Sequence, residues 1–388
     1  MTKKTDKQAS VKRRSVSYFT LASCIIVALL AGFVGGTRLD QVGTLSDNSL
    51  KPLQETYKAL HQNFDGKLDD KKLIEGASRG MVEAAGDPYT VFFNKKEASE
   101  FEEDLDGTFS GIGAELGKKD GKLVIISALD SSPAQKVGLQ PNDIIAGVNS
   151  EDSSSWSIDK AVSKIRGEKG TTVKLTIVRG EDVSEVVITR DTITDPSVKT
   201  EEKDGIGIIR ISRFGKDTAS LTRQAAEKFA NKKAIVVDLR GNGGGYLDAA
   251  QQIASLWLDK GQIVVTERVG GKVKQTHQAT GDNTLKGKKT VIIINEGSAS
   301  ASEILAGALQ DHKAATIVGQ KSFGKGSVQD MIELENGARL KVTIAKWYTP
   351  NGKNIGKHGI EPDVKAVAGE NDTKDSDSQL QKALDIIK

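Results

Sequence analysis

The segment that most constrains the fold of this chain is residues 234–239, with the sequence Ala-Ile-Val-Val-Asp-Leu. A continuous apolar run of this length is typical of a buried strand. It leads directly into residues 241–245, where four of the five residues are glycine. Because glycine lets a backbone N–H approach a ligand closely, this turn is a candidate binding element. A dinucleotide-binding loop is the alternative, but these glycines are grouped more tightly than the Gly-x-Gly-x-x-Gly spacing.

Ser300 is a candidate nucleophile, because it stands between small residues just before an apolar helical pattern at residues 302–309. Its neighbours Ala299 and Ala301 leave the hydroxyl uncovered. At a helix start, the backbone N–H of Ala301 has no intrahelical partner and suits a developing oxyanion. The plainer interpretation is that these serines only cap the helix. None of the four histidines is paired with Ser300 by any pattern, and His312 is explained by its place at the helix end.

Lys325 is the candidate base for Ser300, since burial can lower the pKa of a lysine enough for it to take a proton. Two other motifs overlap it. A phosphate-binding loop needs a helix after the lysine, whereas Gly326 and an alternating strand pattern follow, with a predicted hairpin turn at residues 335–337. The Ser-x-x-Lys motif of penicillin-binding proteins would use Ser322, but it needs a helical turn that the flanking glycines disfavour.

The chain resembles the carboxyl-terminal processing peptidases, also called tail-specific proteases, of serine peptidase family S41. The matching stretches are residues 86–90, 238–245, 298–309 and 323–326. This resemblance implies an α/β fold with a crotonase/ClpP-like peptidase core and an inserted PDZ domain. It also implies a serine endopeptidase that works through an acyl-enzyme.

Carried over to this sequence, the resemblance implies that Ser300 is the nucleophile and that Lys325 is the general base. Gln329, four residues further along the same strand, would orient the lysine. An acidic residue of the family falls on Asp311, where the implied role is structural or orienting.

The resemblance also implies an oxyanion hole made of two backbone N–H groups. Ala301 would supply one and Gly245 the other, with Gly244 as the second choice for the glycine. No metal or cofactor is expected, because the histidines are scattered and no ligand spacing occurs.

Residues 106 to about 190 resemble a PDZ domain, through residues 109–116, 132–139 and 143–149. The turn formed by Gly111, Ile112 and Gly113 precedes a predicted strand and can present N–H groups to a terminal carboxylate. A helix at residues 157–165 would flank that groove. Arg166 closes this helix and would link peptide occupancy to the active site, although a cation at a helix end needs no further explanation. The implied partners are proteins or peptides with accessible C-termini.

The N-terminus has the pattern of a membrane anchor. Six Lys and Arg residues precede residues 18–36, which carry no charge and are just long enough to cross a bilayer. We expect a cytoplasmic segment at residues 1–17, a transmembrane signal anchor at 18–36, and the catalytic part on the extracellular face of a bacterial cell membrane. A cleaved signal peptide is disfavoured because no Ala-x-Ala site follows. A lipoprotein site at Cys24 is disfavoured because Cys24 lies inside the apolar run.

Length and composition bound the remaining organisation. The 388 residues suffice for two globular units, and 55 basic against 52 acidic residues give no case for a nucleic-acid surface. A single cysteine excludes an internal disulfide framework. The expected order is a helical N-terminal arm at 37–105, the PDZ domain at 106–190, the peptidase core at 191–367, and a polar linker with a last helix at 368–388. Apolar residues of the arm, from Leu53 to Phe64, indicate either a homodimer contact or core packing.

Two other functions stay open. The first is a PDZ-bearing adaptor without activity, although both the nucleophile and the base are present. The second is a crotonase-like enzyme acting on an acyl thioester, which would share the architecture and the backbone oxyanion donors. A PDZ domain outside the membrane favours a peptide substrate. The sequence therefore predicts a membrane-anchored serine endopeptidase that recognises C-terminal tails.

Overall fold

The computed structural model describes residues 47–129, 131–356, 358–369, 372 and 376–388. The predicted membrane segment, with Cys24 inside it, lies outside these residues. Within the described ranges, no helix has both the length and the apolar character needed to cross a bilayer. The chain divides after Ile74 into two compact units.

The first unit contains α1 (Asp47–Asn63) and the start of α2 (Asp70–Ala84). Tyr57 and His61 contact each other one helical turn apart, with ring centroids 4.6 Å apart. The apolar arm residues Leu53 and Phe64 keep 46% and 54% of their surface exposed. Both roles predicted for these side chains, a homodimer contact and core packing, stay predictions.

The second unit begins with the rest of α2, followed by β1 (Val91–Phe93) and α3 (Lys95–Asp106). The prediction of a wholly helical arm was wrong at β1, which pairs antiparallel with β18 (Arg339–Tyr348). A β-branched residue and two aromatic residues in sequence favour a strand once a partner edge is available. Gly107, in the left-handed conformation, ends α3 and turns the chain into the next domain.

An antiparallel sheet domain follows, in the part of the chain that resembles a PDZ domain. Two paired strands lead into it and out of it, β2 (Thr108–Gly111) and β9 (Asp191–Thr194). Its strands lie in the order β3-β4-β5-β7-β8, with β6 paired to β5, so β3 is an edge strand. The elements are β3 (Ala114–Lys119), β4 (Lys122–Ala128), α4 (Pro133–Lys136), β5 (Ile144–Val148), β6 (Glu151–Asp152), α5 (Ile158–Ile165), β7 (Thr172–Arg179) and β8 (Asp182–Thr189).

A six-stranded sheet in the second unit is parallel except for the pairing of its first two strands. Its order is β10 (Val198–Lys203), β11 (Ile206–Ile211), β12 (Ala234–Asp238), β15 (Lys289–Ile294), β16 (Thr316–Gly319) and β19 (Val364–Lys365). The helices packed with it are α6 (Thr218–Lys228), α7 (Leu247–Ala254), α8 (Ala301–Asp311) and α9 (Ser378–Ile387).

The central strand β12 is buried on both faces, as its continuous apolar sequence predicts. Ile235 and Val237 belong to the core formed with α6, α7 and α8. Ala234 and Val236 belong to the core on the opposite face, formed with α9. The last helix therefore covers one face of the sheet.

A second sheet contains β1, β13 (Ile263–Val269), β14 (Lys272–Gln278), β17 (Ser327–Glu333) and β18. The pair β17 and β18 forms the predicted hairpin, closed by a short 3-10 helix at Glu335–Gly337. Since a strand rather than a helix follows Lys325, the segment lacks the helix N-terminus of a phosphate-binding loop.

Candidate active site

Three loops leave the neighbouring strands β12, β15 and β16 at one edge of the parallel sheet. They contain the glycine turn, Ser300 and Lys325 respectively. Because the carboxyl ends of parallel strands lie at the same edge, these loops meet although they are far apart in sequence. The edge is the place where binding sites of open α/β sheets form.

Ser300 occupies the N-cap position of α8, with φ of 54° and ψ of −114°. Positive φ is uncommon outside glycine, so the surroundings must hold this turn. The hydroxyls of the fully buried Ser298 and Ser302 donate to the carbonyl oxygens of Leu239 and Asn242, at 2.8 and 2.9 Å. These bonds fasten both sides of the turn to the glycine loop, and Ser300 itself is only half-buried.

Glu303 is fully buried in the first turn of α8 and joins the serine turn to the lysine loop. One carboxylate oxygen accepts from the Ser322 hydroxyl and the Gly324 N–H, both at 2.6 Å. The other accepts from the backbone N–H groups of Ser300 at 2.8 Å and Lys325 at 3.0 Å. Burial raises the pKa of Glu303, against the opposing effect of these hydrogen bonds.

Glu303 lies in the helix predicted at residues 302–309, and the sequence pattern assigned it no role. The spacing Ser-x-x-Glu from Ser300 to Glu303 is the helix-capping signature that could have identified it. That signature accounts only for the local bond to Ser300. The bonds to Ser322, Gly324 and Lys325 span 19, 21 and 22 residues, which a local pattern does not encode.

Lys325 is half-buried in the loop after β16. Burial lowers the pKa of its ammonium group, the positive charge of Lys341 lowers it further, and Glu303 acts in the opposite direction. Its Nζ lies 5.6 Å from the ring centroid of Tyr89. In the described part of the chain, Nζ makes no hydrogen bond to the Ser300 hydroxyl, although the two backbones share one oxygen of Glu303.

Tyr89 belongs to the stretch at residues 86–90, which carried the family resemblance but was given no role. Asp87 accepts from the Thr90 hydroxyl at 2.6 Å and from the Tyr89 N–H at 3.2 Å. The Thr90 hydroxyl in turn accepts from the Thr343 N–H on β18 at 3.2 Å. These bonds dock the stretch on the second sheet and hold the tyrosine ring near the lysine.

Lys341 on β18 is a second half-buried lysine at the site, and the sequence pattern gave no sign of it. Its Nζ lies 5.5 Å from the ring centroid of Phe93 and 4.9 Å from that of Phe101. The two rings stack with centroids 5.1 Å apart. Burial lowers the pKa of Lys341. An alternating strand pattern identifies buried positions by their apolar residues. It therefore gave no signal for a half-buried lysine at this position.

Gly244 makes the closest approach of the glycine loop to the serine turn. A Cβ atom added to it would lie 2.8 Å from the Ser300 Cβ and 3.0 Å from the Ala301 backbone nitrogen. Its φ of 102° also excludes most side chains. The Gly244 N–H donates to the Asn242 side chain at 2.9 Å, so this N–H is already engaged.

The backbone N–H of Gly245 differs from that of Gly244 in its hydrogen bonding. Its neighbours pair with Phe214: the Phe214 N–H donates to the Gly244 carbonyl at 2.9 Å, and the Tyr246 N–H donates to the Phe214 carbonyl at 2.7 Å. This pairing leaves out the Gly245 N–H, which has no hydrogen bond within the described residues. The Ala301 N–H, at the first position of α8, has no intrahelical acceptor either.

Gln329 lies on β17, as expected. Its side-chain amide donates to the hydroxyls of Ser327 at 3.1 Å and Thr343 at 3.4 Å. Among the described residues it makes no hydrogen bond to Lys325, so a role in orienting the lysine stays a prediction.

Asp311 lies at the far end of α8, roughly 15 Å along the helix from Ser300. Its carboxylate accepts from the Asn351 N–H at 2.8 Å and holds a loop beyond β18. His312, the C-cap of the same helix, contacts the Ile263 carbonyl at 2.7 Å. In the ranges that the structure describes, no group of three or more His, Cys, Asp or Glu residues is arranged to hold a metal ion.

The candidate peptide groove lies between the edge strand β3 and helix α5. Gly113, with φ of 71°, turns the chain into β3, and an added Cβ would lie 2.5 Å from the Ser132 Cβ. Gly111 ends β2, and the Ile112 side chain is buried in the core of this domain. The turn can therefore offer only its backbone to a ligand.

Arg166 is the C-cap of α5, at one end of this groove. Its guanidinium lies 4.9 Å from the ring centroid of Phe109 and 3.8 Å from the Asp104 carboxylate on α3. Arg166 therefore contacts the helix that leads into the domain, in addition to capping its own helix.

Three known families match successive parts of this chain. Residues 205–366 match "Peptidase family S41", residues 102–178 match "PDZ domain", and residues 36–97 match "Activating protease CtpB N-terminal domain". The chain therefore has a mixed α/β S41 peptidase fold with a PDZ domain.

Curated relatives cover most of the chain. The carboxy-terminal processing protease CtpA of Bacillus subtilis is 35% identical over 92% of this chain and 78% of its own length. A probable CtpA-like serine protease of Staphylococcus haemolyticus is 42% identical over 82% of this chain and 65% of its own length. The solved photosystem II D1 C-terminal processing protease is 27% identical, with a TM-score of 0.51 over 82% of this chain and 87% of its own.

Replacing Glu303 by Gln tests whether its carboxylate joins the serine turn to the lysine loop. The amide places an N–H₂ group where the carboxylate accepted backbone N–H bonds, and buried donors are left without acceptors. We expect the free energy of unfolding to fall by about 2–4 kcal/mol, since each unsatisfied buried group costs about 1–3 kcal/mol. Hydrogen exchange at the Gly324 and Lys325 amides should become faster, as measured by mass spectrometry of the native protein.

Glu333→Gln is the matched control, because Glu333 is exposed on β17 of the same sheet. It should change neither the unfolding free energy nor the exchange of these amides. Unchanged exchange in Glu303→Gln would show that the carboxylate does not hold the lysine loop.

Proposed function

Because the chain belongs to peptidase family S41 and is a C-terminal processing serine peptidase with a PDZ domain, we propose that it cleaves peptide bonds with a Ser300–Lys325 dyad. The observation that carries this proposal is the buried Glu303 carboxylate, which accepts from the backbone N–H groups of both residues. One side chain thus fixes the candidate nucleophile and the candidate base in the same place.

In the proposed reaction, neutral Lys325 takes the proton of the Ser300 hydroxyl as Oγ attacks the scissile carbonyl carbon. When the tetrahedral intermediate collapses, the C–N bond breaks and the lysine ammonium gives its proton to the leaving amine. Water then hydrolyses the acyl-enzyme. The lowered pKa of Lys325, caused first by burial, supports this role, because a lysine must be neutral to act as a base.

The developing oxyanion is held by the N–H groups of Ala301 and Gly245. Both are free of other bonds in the described chain, whereas the Gly244 N–H is bonded to Asn242. This supports Gly245 over Gly244 as the glycine donor. A donor of this kind typically contributes about 3–4 kcal/mol to the transition state. Gln329 is proposed to orient the lysine, and Asp311 to stabilise the end of α8.

The proposed substrates are proteins with accessible C-terminal tails. A tail would add a strand to the open edge of β3, with its carboxylate at the backbone N–H groups of residues 111–113. We further infer a crotonase/ClpP-like core, supported by the backbone donors at the edge of the parallel sheet. From the apolar run at residues 18–36 alone, we propose a membrane anchor with the catalytic part on the outer face.

The dyad is tested with the wild-type chain, Ser300→Ala and Lys325→Ala on an unstructured protein with an apolar C-terminus. We expect both substitutions to abolish cleavage, by at least about 10³-fold in kcat, because nucleophile and base act as a unit. Cleavage products resolved by mass spectrometry give the readout. Activity retained in Lys325→Ala would exclude this lysine as the base.

Lys341→Met is expected to move the pH profile of kcat/KM. The Lys341 charge lowers the pKa of Lys325, so removing it lets that pKa rise. Since only the neutral lysine is a base, the rising limb of the profile should shift to higher pH. Lys346→Met, exposed on the same strand, is the control and should leave the limb in place. A limb that stays or moves to lower pH in Lys341→Met would contradict the electrostatic effect.

Arg166→Ala tests the PDZ contribution. If Arg166 links peptide binding in the PDZ domain to the active site, the variant should cleave a tailed substrate more slowly. Its cleavage of a short untailed reporter peptide should be unchanged. The ratio of the two kcat/KM values is the measurement. An unchanged ratio would leave Arg166 as a helix cap only.

A further inference from the structure

Residues 212–217 connect β11 to α6 and lie between the strands that enter and leave the PDZ domain and the glycine loop. We call these residues the β11–α6 segment. Some of its residues contact the connections just before β2 and just after β9, which we call the PDZ linkers. Another of its residues contacts the glycine loop. A short segment with these two sets of contacts is a physical route between the PDZ domain and the active site.

Arg213 joins the segment to both PDZ linkers. Its guanidinium donates to the backbone carbonyls of Asp106, at 3.4 Å, and of Asp195. Asp106 ends α3 just before β2, and Asp195 follows β9. Lys216, from the same segment, pairs with the Asp106 carboxylate at 2.7 Å. A Cβ on Gly107 would overlap the Arg213 guanidinium, so the linker passes directly against it.

Phe214, the next residue, joins the segment to the glycine loop. It is fully buried, and its backbone makes the two bonds on either side of Gly245. A Cβ on Gly245 would lie 2.2 Å from the Phe214 carbonyl oxygen. The direction of the Gly245 N–H is therefore set by the position of the Phe214 backbone.

Two buried polar atoms at this junction are without partners among the described residues, Oδ1 of Asp106 and Nε of Arg213. Buried charged groups are normally fully bonded, and each unpaired atom costs free energy. A third group, the Tyr246 phenol, adjoins the same carboxylate: burial and then the Asp106 charge raise its pKa. The junction is thus incompletely bonded.

We infer that Arg213 is a positioning residue for the oxyanion hole. By holding both PDZ linkers to the segment that pairs with Gly245, it makes the direction of the Gly245 N–H depend on the position of the PDZ domain. The inference rests on the proposed function, in which Gly245 is an oxyanion donor. Arg213 acts through the backbone of Phe214 and touches no reacting atom.

The test uses the full chain and its Arg213→Lys variant. Lysine keeps the charge but cannot reach two carbonyls with a planar group. We would measure the rate at which a fluorophosphonate labels Ser300, with and without a tail peptide that ends in an apolar residue and a free carboxylate. An amidated copy of that peptide is the ligand control. Arg223→Lys, in an ion pair with Asp282 away from both linkers and loop, is the protein control.

In the wild type and in Arg223→Lys, the tail peptide should change the labelling rate. In Arg213→Lys this response should disappear, and kcat on an untailed reporter should fall by up to about 100-fold, as for a displaced oxyanion donor. Its KM for that reporter should be unchanged. A general loss of stability would instead lower the melting temperature, and it would slow the reactions of tailed and untailed substrates to the same extent.

Lys216→Met is the second variant, because Lys216 is 72% exposed and can be replaced without disturbing a core. It should weaken the response to the tail peptide without changing the melting temperature. If Arg213→Lys and Lys216→Met both respond as the wild type does, or if the wild type is labelled but ignores the tail peptide, the inference is overturned. If the wild type is not labelled at Ser300 at all, the proposed function itself fails.

Discussion

The buried carboxylate of Glu303 is the interaction on which the candidate site depends. Removing a carboxylate from water costs several kcal/mol, so this residue is tolerated only where hydrogen-bond donors surround it. Here four donors converge on its two oxygens, three of them backbone N–H groups. The cost of burial therefore enforces a specific geometry, because any movement of the serine turn or the lysine loop leaves a buried charge without donors.

The same requirement explains the conformation of the serine turn. Ser300 has a positive φ that a serine does not adopt freely. Its N–H is bonded to Glu303, and the serines on either side are bonded to carbonyl oxygens of residues 239 and 242. The strained residue is thus held from three sides by groups that would otherwise be unsatisfied. Gly244 lies opposite it, where a Cβ atom would come within 2.8 Å of the Ser300 Cβ.

Local chemistry was readable from the sequence wherever one segment contains the whole signal. Ala234–Asp238 form the buried strand, α8 begins just after Ser300, and β17 and β18 form the hairpin. The missed features depend on contacts between distant segments. Lys341 is one lysine among many until Phe93 and Phe101 are known to surround it. β1 was read as part of a helix because its partner strand lies more than two hundred residues away.

The electrostatics of Lys325 follow from these distant contacts. Two lysines with lowered pKa values share a partly buried space, and the charge of Lys341 makes it easier for Lys325 to be neutral. The aromatic rings around both come from residues 89–101, between α2 and the PDZ domain. That stretch continues through α3 to Asp106, where Arg213 and Lys216 hold it. A displacement of α3 would therefore act at two points at once, on the surroundings of Lys341 through Phe101 and on the glycine loop through Phe214. In the proposed mechanism, the same helix therefore links the protonation of Lys325 to the direction of the Gly245 N–H.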